Sequence, residues 1–281
     1  MIEFQKHPRL ARANVLGVGV HAVDMAGSID SIATAIEYGR KAYVCLCSVH
    51  GIMEAQRDPE FANILDRAML TAPDGMPLVW LGRLQGFTAM RRVFGPDLMQ
   101  EVVSFSLYRR WTHFLYGGAP GLGRDLSRVL QTRFPGVRIV GTYEPPFRPL
   151  LDEEKADLVR RVQQATPDII WVGLSTPKQE HFMAEYLPRL DCRIMIGVGA
   201  AFDYHTGRLK DSPAWVKQCG MQWAHRLLQE PSRLWRRYLR NNPAFLYRVA
   251  LQIAGLKSYA FSESCSEFSE LPDPATPNKA A

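Results

Sequence analysis

Cysteine is sparse and unpaired in this chain. Cys45, Cys47, Cys192, Cys219 and Cys265 are odd in number and contain no C-x-x-C spacing, which argues against a disulfide framework and a zinc site and fits a reducing compartment. No stretch reaches the roughly 18–20 apolar residues that a spanning helix needs, and Met1-Ile-Glu-Phe-Gln-Lys-His-Pro8 lacks the charged-then-apolar order of a signal peptide. A cytoplasmic location is therefore expected. There is no internal repeat, no D-x-D pair for a nucleotide-bound divalent metal, no G-x-G-x-x-G and no Walker A loop. A dehydrogenase and a P-loop NTPase are discounted on those grounds.

What is present is ordinary for a globular chain of 281 residues, with 47% hydrophobic and 22% charged residues. That length buries a full core. The net charge of +6 is unevenly placed. From Arg208 to Lys257 there are ten Lys or Arg against two acids, Asp211 and Glu230, so the remainder is close to neutral. Such a segment calls for an anionic partner such as lipid headgroups, nucleic acid or phosphate.

The organising stretch is Leu174-Ser-Thr-Pro-Lys-Gln-Glu180. It leaves the apolar run Ile169–Leu174, which is short and follows Pro167-Asp168, and so reads as a buried parallel strand. Thr176-Pro-Lys-Gln179 has the form of a helix start, with Thr176 as N-cap and proline first. A strand's carboxyl end joined to a helix N-terminus is where an open α/β sheet binds ligands. Lys178 and Gln179 would place a cation and an amide there; an ordinary turn with an exposed lysine is the alternative.

The same alternation runs through the chain. Asn14–Val20 reads as a first strand, followed by a helix from Ser28 to Lys41 with Ser28 or Asp30 as cap. Tyr43–Cys47 is the next strand, ending at Ser48-Val-His50, and Asp58-Pro59 caps a helix to about Ala68. Pro73-Asp-Gly75 puts Asp74 at the end of an apolar element, where a plain turn is the rival reading. Arg91 and Arg92 precede a helix started by Pro96 and suit either phosphate oxygens or a solvated loop. Trp111–Tyr116 is a strand leading through Gly117 and Gly118 into a helix at 122–132, a turn whose backbone N–H groups could approach a phosphate. Val137–Gly141 is a strand, Glu153–Ala165 a helix, and Arg193–Gly199 a strand that sets Asp203 just past its end. Asp203-Tyr-His205 holds metal-capable side chains, against which stands a solvated loop. Asp74, Gln179 and Asp203 thus fall on one rim, the carboxyl side of a Rossmann-like, mostly parallel sheet flanked by helices. The catalytic domain is assigned to residues 1–211.

From Ser212 the texture changes to helices without strands, at Trp223–Asn241 and Pro243–Gly255. Apolar residues at three- and four-residue steps beside Arg233, Arg236, Arg237 and Arg240 suit a helix in a membrane interface; a helical cap with solvated arginines is the alternative. Residues 212–257 form this appendage, and 258–281, rich in Ser, Glu and Pro, a disordered tail. The appendage's aromatics lie on its apolar stripe rather than among the arginines, which argues against nucleic acid. An apolar appendage that must be covered in solution is compatible with a homo-oligomer.

Taken in order, Pro73-Asp-Gly-Met-Pro77, Arg92-Val-Phe-Gly-Pro-Asp-Leu98, Phe114-Leu-Tyr-Gly-Gly118, Pro167–Leu174, Pro177-Lys-Gln-Glu180, Gly197–Asp203, Pro213-Ala-Trp215, Gln222-Trp-Ala-His-Arg226 and Glu230–Tyr238 resemble the WecG/TagA/CpsF family of bacterial glycosyltransferases. Gly95-Pro-Asp-Leu98, Pro145-Pro-Phe-Arg148 and Trp235-Arg-Arg-Tyr238 look most like its exopolysaccharide glucosyltransferases. The resemblance implies an inverting transfer, without metal or cofactor, of a hexosyl group from a UDP-sugar to a lipid-diphosphate-linked saccharide at the inner face of the cytoplasmic membrane. It makes Asp74 the match for the family's general base, Arg92 and Gln179 the match for donor-pocket positions, and Asp203 the match for one that holds the nucleotide. It implies that the arginine-rich segment docks on the membrane and closes over the site. Ser48, Gly117, Gly118 and Lys178 complete the substrate-binding candidates. Ser48-Val-His50 departs from the Asn-containing turn of many members, so His50 stands in that place and is a second candidate for the base. A non-catalytic nucleotide-binding membrane adaptor is the rival function.

Overall fold

The fold is described from a computed structural model covering residues 10–261, the side chains of Ala214 and Gln218 excepted. The first apolar run is an antiparallel hairpin, β1 (Arg12–Val15) and β2 (Val18–His21), rather than one strand. Leu16 and Gly17 take φ of 52° and 87° in its two-residue turn, as such hairpins require, and Asn14 Oδ1 accepts from Gly17 N at 2.8 Å. Helix α1 (Met25–Glu37) starts earlier than its sequence suggests. Asp24 Oδ1 caps it by accepting from Gly27 N, whereas Ser28, one of the expected caps, lies inside and turns its hydroxyl back to Asp24 O.

Six parallel strands follow: β3 (Ala42–Cys47), β4 (Leu70–Pro73), β5 (Thr112–Gly117), β6 (Arg138–Tyr143), β7 (Ile169–Gly173) and β8 (Ile194–Gly197), in the spatial order β4-β3-β8-β7-β5-β6. The near-continuous apolar sequences of all but the edge strand β6 reflect burial on both faces. One face carries α2 (Val49–Ala55), α3 (Pro59–Arg67), α7 (Asp152–Ala165), α8 (Lys178–Tyr186) and the hairpin, packed through Ile52, Phe61, Leu158 and Met183. The other carries α1, α5 (Gly95–Arg109), α6 (Leu122–Arg133) and the short α9 (Ala201–His205), packed through Ile32, Leu98, Leu126 and Phe202. The cap on α3 is as expected, with Asp58 Oδ1 accepting from Glu60 N and Phe61 N. Helix α4 (Met76–Leu84) leaves the sheet after Asp74.

The C-terminal region contains α10 (Ala214–Gln218), α11 (Gln222–Gln229) and α12 (Pro231–Ile253). The last is one helix rather than two, passing through Pro243. A proline removes one helical hydrogen bond, but Leu234, Asn241 and Phe245 are buried on either side of it, and that anchoring carries the helix through. Among the described residues no helix is long and apolar enough to cross a membrane. Residues 258–261 lie along the hairpin, where Asn14 Nδ2 donates to Tyr259 O at 2.7 Å; the rest of the expected tail lies outside the described residues.

Candidate active site

The adjacent strands β4, β3, β8 and β7 are followed on one rim by Asp74, by Ser48 with His50 at the start of α2, by Asp203 in α9 and by Gln179 at the start of α8. Asp74 is fixed first by its backbone. Its N–H donates to Cys47 O at 2.7 Å, and Val93 N donates to Pro73 O at 2.8 Å. Its side chain is 27% exposed, yet Oδ1 is buried without a hydrogen-bond partner. Burial pushes the carboxyl up to about 7, with Asp97 adding to the rise and Arg92 and Arg226 opposing it. A carboxyl that changes charge near neutral pH at the carboxyl end of a parallel sheet is matched to proton transfer.

Arg92 is the side chain that organises this corner. Its Nε donates to Asp74 O at 3.2 Å and its Nη2 to Gln222 Oε1, with Nη2 3.7 Å from Asp74 Oδ1. The guanidinium lies 4.3 Å from the Phe94 ring centroid, and Lys217 Nζ is 5.4 Å from the same centroid. So α11 is tied directly to the residue that holds Asp74. Arg226, on α11, pairs through Nε with Glu230 Oε2 at 3.3 Å while its charge acts on Asp74, Asp203 and Tyr204.

Other candidates are placed differently from their sequence reading. Thr176 does not cap α8; Pro177 precedes the helix after a cis peptide, and Thr176 Oγ1 donates to Glu180 Oε1 at 2.9 Å. Gln179 is 3% exposed. Its Oε1 accepts from Gly199 N at 3.0 Å and its Nε2 donates to Glu180 Oε1 at 3.0 Å. Both ends of the amide are committed inside the protein, so Gln179 holds the loop after β8 rather than facing a ligand. Lys178 is exposed. Ser48 is half-buried at the start of α2 and makes no capping bond.

The glycine turn after β5 is occupied by protein groups. Gly118 N donates to Gly173 O at 3.2 Å, and Glu144 takes the N–H groups of Gly121 and Gly123 at 2.7 and 2.9 Å. A carboxylate already fills the anion-favouring start of α6, which corrects the expectation of a phosphate there. Gly117 has φ of 120°, and a Cβ on it would sit 2.6 Å from Gly173 O. Glycine at 117 serves close strand approach instead. Asp203 falls within α9, half-buried, its carboxyl raised by burial against the opposing charges of Arg208, Arg233 and Arg226. His205 is bonded to Pro96 O at 3.0 Å, and among the described residues no group of three or more His, Cys, Asp or Glu is placed to hold a metal.

His50 sits in the first turn of α2, with Nδ1 3.0 Å from Asn241 Nδ2 and Nε2 3.3 Å from Thr176 O. Burial and the Arg237 charge pull its imidazole down to about 4. Arg237, expected among the outward arginines, is half-buried, its charge acting on His50 and its Nε buried without a hydrogen-bond partner. Arg233 pairs with Glu230, while Arg236 and Arg240 are exposed.

Sequence reasoning passed over Glu144 and Asn241, and gave no role to Glu180, Gln222 and Arg226, although the last three stand in the motifs that carry the resemblance. Glu180 is buried, with Oε2 lacking a partner and its carboxyl raised by burial. Asn241 carried a readable signal, since it falls at helical spacing between the apolar Leu234 and Phe245. Arg226 and Glu230 carried another, the i,i+4 charge pair.

The chain matches the Glycosyl transferase WecG/TagA/CpsF family over residues 13–259. Among curated proteins it is similar to the N-acetylglucosaminyldiphosphoundecaprenol N-acetyl-beta-D-mannosaminyltransferase of Bacillus spizizenii, 26% identical over 206 residues, covering 73% of this chain and 78% of that one. The enzyme of the same name from Staphylococcus aureus is 23% identical over 248 residues, covering 88% and 95%.

Proposed function

The chain belongs to the WecG/TagA/CpsF family of glycosyl transferases, and from that premise we propose that it moves a hexosyl group from a UDP-sugar to a polyprenyl-diphosphate-linked saccharide. The group is of glucose or N-acetylmannosamine type, and the transfer is inverting, needs no metal and serves extracellular or cell-surface polysaccharide. The acceptor class follows the relatives, whose names specify a diphosphoundecaprenol-linked N-acetylglucosamine. UDP and the exopolysaccharide setting follow the sequence resemblance.

The observation that carries the reading is Asp74, a carboxyl near neutral pKa held beside Arg92 at the sheet's carboxyl rim, with the charge of Arg226 also acting on it. As the acceptor hydroxyl oxygen attacks the anomeric carbon, Asp74 takes its proton. The bond from that carbon to the UDP oxygen breaks on the opposite side, and the electron pair leaves on the diphosphate. Arg92 and Arg226 supply positive charge for the departing anion. Asp74 is assigned the base in preference to His50, because both ring nitrogens of His50 are engaged by protein groups.

We assign residues 212–257 to docking on the inner face of the cytoplasmic membrane. Trp235, Leu239, Leu246 and Ile253 are exposed on α12, and their steps of four and seven place them in one stripe. Arg233, Arg236 and Arg240 lie beside it on the helix, each worth about 1 kcal/mol near an anionic surface.

The test is thermal stabilisation by UDP, GDP, CMP and UDP-sugars with and without EDTA, followed by transfer to a lipid-diphosphate-linked saccharide. UDP at 100 times its dissociation constant should add about 2.7 kcal/mol and survive EDTA. No response to any nucleotide would refute the donor reading; binding without turnover would select the adaptor.

A further inference from the structure

Helix α12 meets the sheet domain through a polar joint set among apolar anchors. Asn241 is buried on its inner face, seven residues after Leu234 and four before Phe245, both also buried. Its Oδ1 accepts from Arg57 Nη2 at 2.7 Å. Arg57 can only donate, so this bond fixes the amide's orientation and turns Nδ2 towards His50 Nδ1, 3.0 Å away. Nδ2 in turn can only donate, which makes Nδ1 the acceptor and leaves the ring proton on Nε2, where it meets Thr176 O at 3.3 Å. One arrangement of donors satisfies all three contacts.

The joint continues beyond Thr176. That residue's hydroxyl donates to Glu180 Oε1, Gln179 Nε2 donates to the same oxygen, and Gln179 Oε1 receives Gly199 N. A hydrogen-bonded path thus runs from α12 through α2 and the loop after β7 to the loop after β8 that precedes Asp203. Further along α12, Arg248 Nη1 donates to Gln56 Oε1, and Gln252 Nε2 to Asn14 O. These contacts seat the distal half of the helix independently of the joint.

We propose that Asn241 and His50 form a latch, acting as positioning residues through which the seating of α12 sets the turn from Thr176 into the start of α8. Neither touches the reacting atoms. The kinetic consequence rests on the transferase reading; the structural consequence does not.

The experiment is amide hydrogen exchange on the full chain, paired with steady-state kinetics, for Asn241→Ala, His50→Ala and the double variant. Loss of the latch should speed exchange in residues 174–180 and 197–203, as well as in 222–241, by about tenfold, the usual scale for one buried hydrogen bond. Residues 138–165 should be unchanged. The double variant should exceed the larger single effect by less than about twofold, as contacts in one network do. In the kinetic arm kcat should fall about tenfold in both single variants, with KM for the donor held within about twofold. Should Asn241→Ala not fold, Asn241→Leu fills nearly the same volume and makes neither the Arg57 nor the His50 bond. Unchanged exchange at 174–180 would overturn the latch. So would His50→Ala abolishing turnover while Asn241→Ala leaves it intact, because His50 would then act on the reaction itself. A wild-type protein with no transferase activity would refute the function and leave the exchange result readable.

Discussion

Replacing Asp74 by asparagine should cost activity and increase stability, and both effects come from the same burial. The folded carboxyl titrates near 7 against an ordinary value of 3.8, so the folded chain holds that proton more tightly than the unfolded one. Asp74's contribution to wild-type stability therefore falls as pH rises from about 4 to about 7 and is level above. A shift of roughly three units sets a ceiling of ~4 kcal/mol on that loss. With the side chain partly open to water, about 2 kcal/mol is the expected gain of Asp74→Asn at pH 8. That corresponds to about 4–8 °C in Tm for a chain of this size, shrinking towards zero near pH 4. Turnover should drop by about 10²–10⁴, the usual contribution of a positioned base, and wild-type kcat/KM should climb with pH and flatten above about 7. Melting curves across pH 4 to 8, with transfer measured on the same preparations, make the test. A Tm difference that does not change with pH would refute the titration, and near-normal turnover by Asp74→Asn would refute the base.

Arg92→Gln removes a charge that holds the Asp74 carboxyl down, so the rising limb of kcat/KM should move to higher pH, as read from the pH profile of the residual activity. Trp235→Glu with Leu239→Glu should abolish pelleting with anionic vesicles and leave Tm nearly unchanged, since both side chains are exposed, Leu239 at 68%; unchanged pelleting would refute the docking face.

The parallel sheet was legible because its strands are short apolar runs closed by turn residues, and Asp58-Pro59 marked a helix start that the fold uses. The hairpin was hidden because Asn14–Val20 is apolar on both sides of its turn; only Asn14 and Gly17, with their local hydrogen bond, separate the two strands. At the site, positions were legible and directions were not. The sequence places Gln179 at a strand end, but its amide turns inwards because Gly199 N and Glu180 offer partners there. The glycine turn after β5 has the composition of a phosphate loop. Glu144, 21 residues beyond Gly123 in the chain, fills it, and no local pattern announces so distant a partner.

Helix α12 was read as apolar at three- and four-residue steps, and that pattern merged two stripes. Leu234, Asn241, Phe245 and Gln252 face the protein, through burial or through bonds to α2 and the hairpin. Trp235, Leu239, Leu246 and Ile253 face out, about 100° further round, because each set is offset from the other by one residue or its equivalent in turns. A helix apolar on one stripe only would serve either as a cap or as an anchor. With two stripes on one rigid rod, α12 stays seated over α2 while its outer stripe engages a surface, so on the proposed reading docking does not require the helix to leave the sheet domain. The bond from Gln222 on α11 to Arg92 then keeps the arginine beside Asp74 in place in the docked enzyme, and the lipid-linked acceptor approaches a site whose charges are already set.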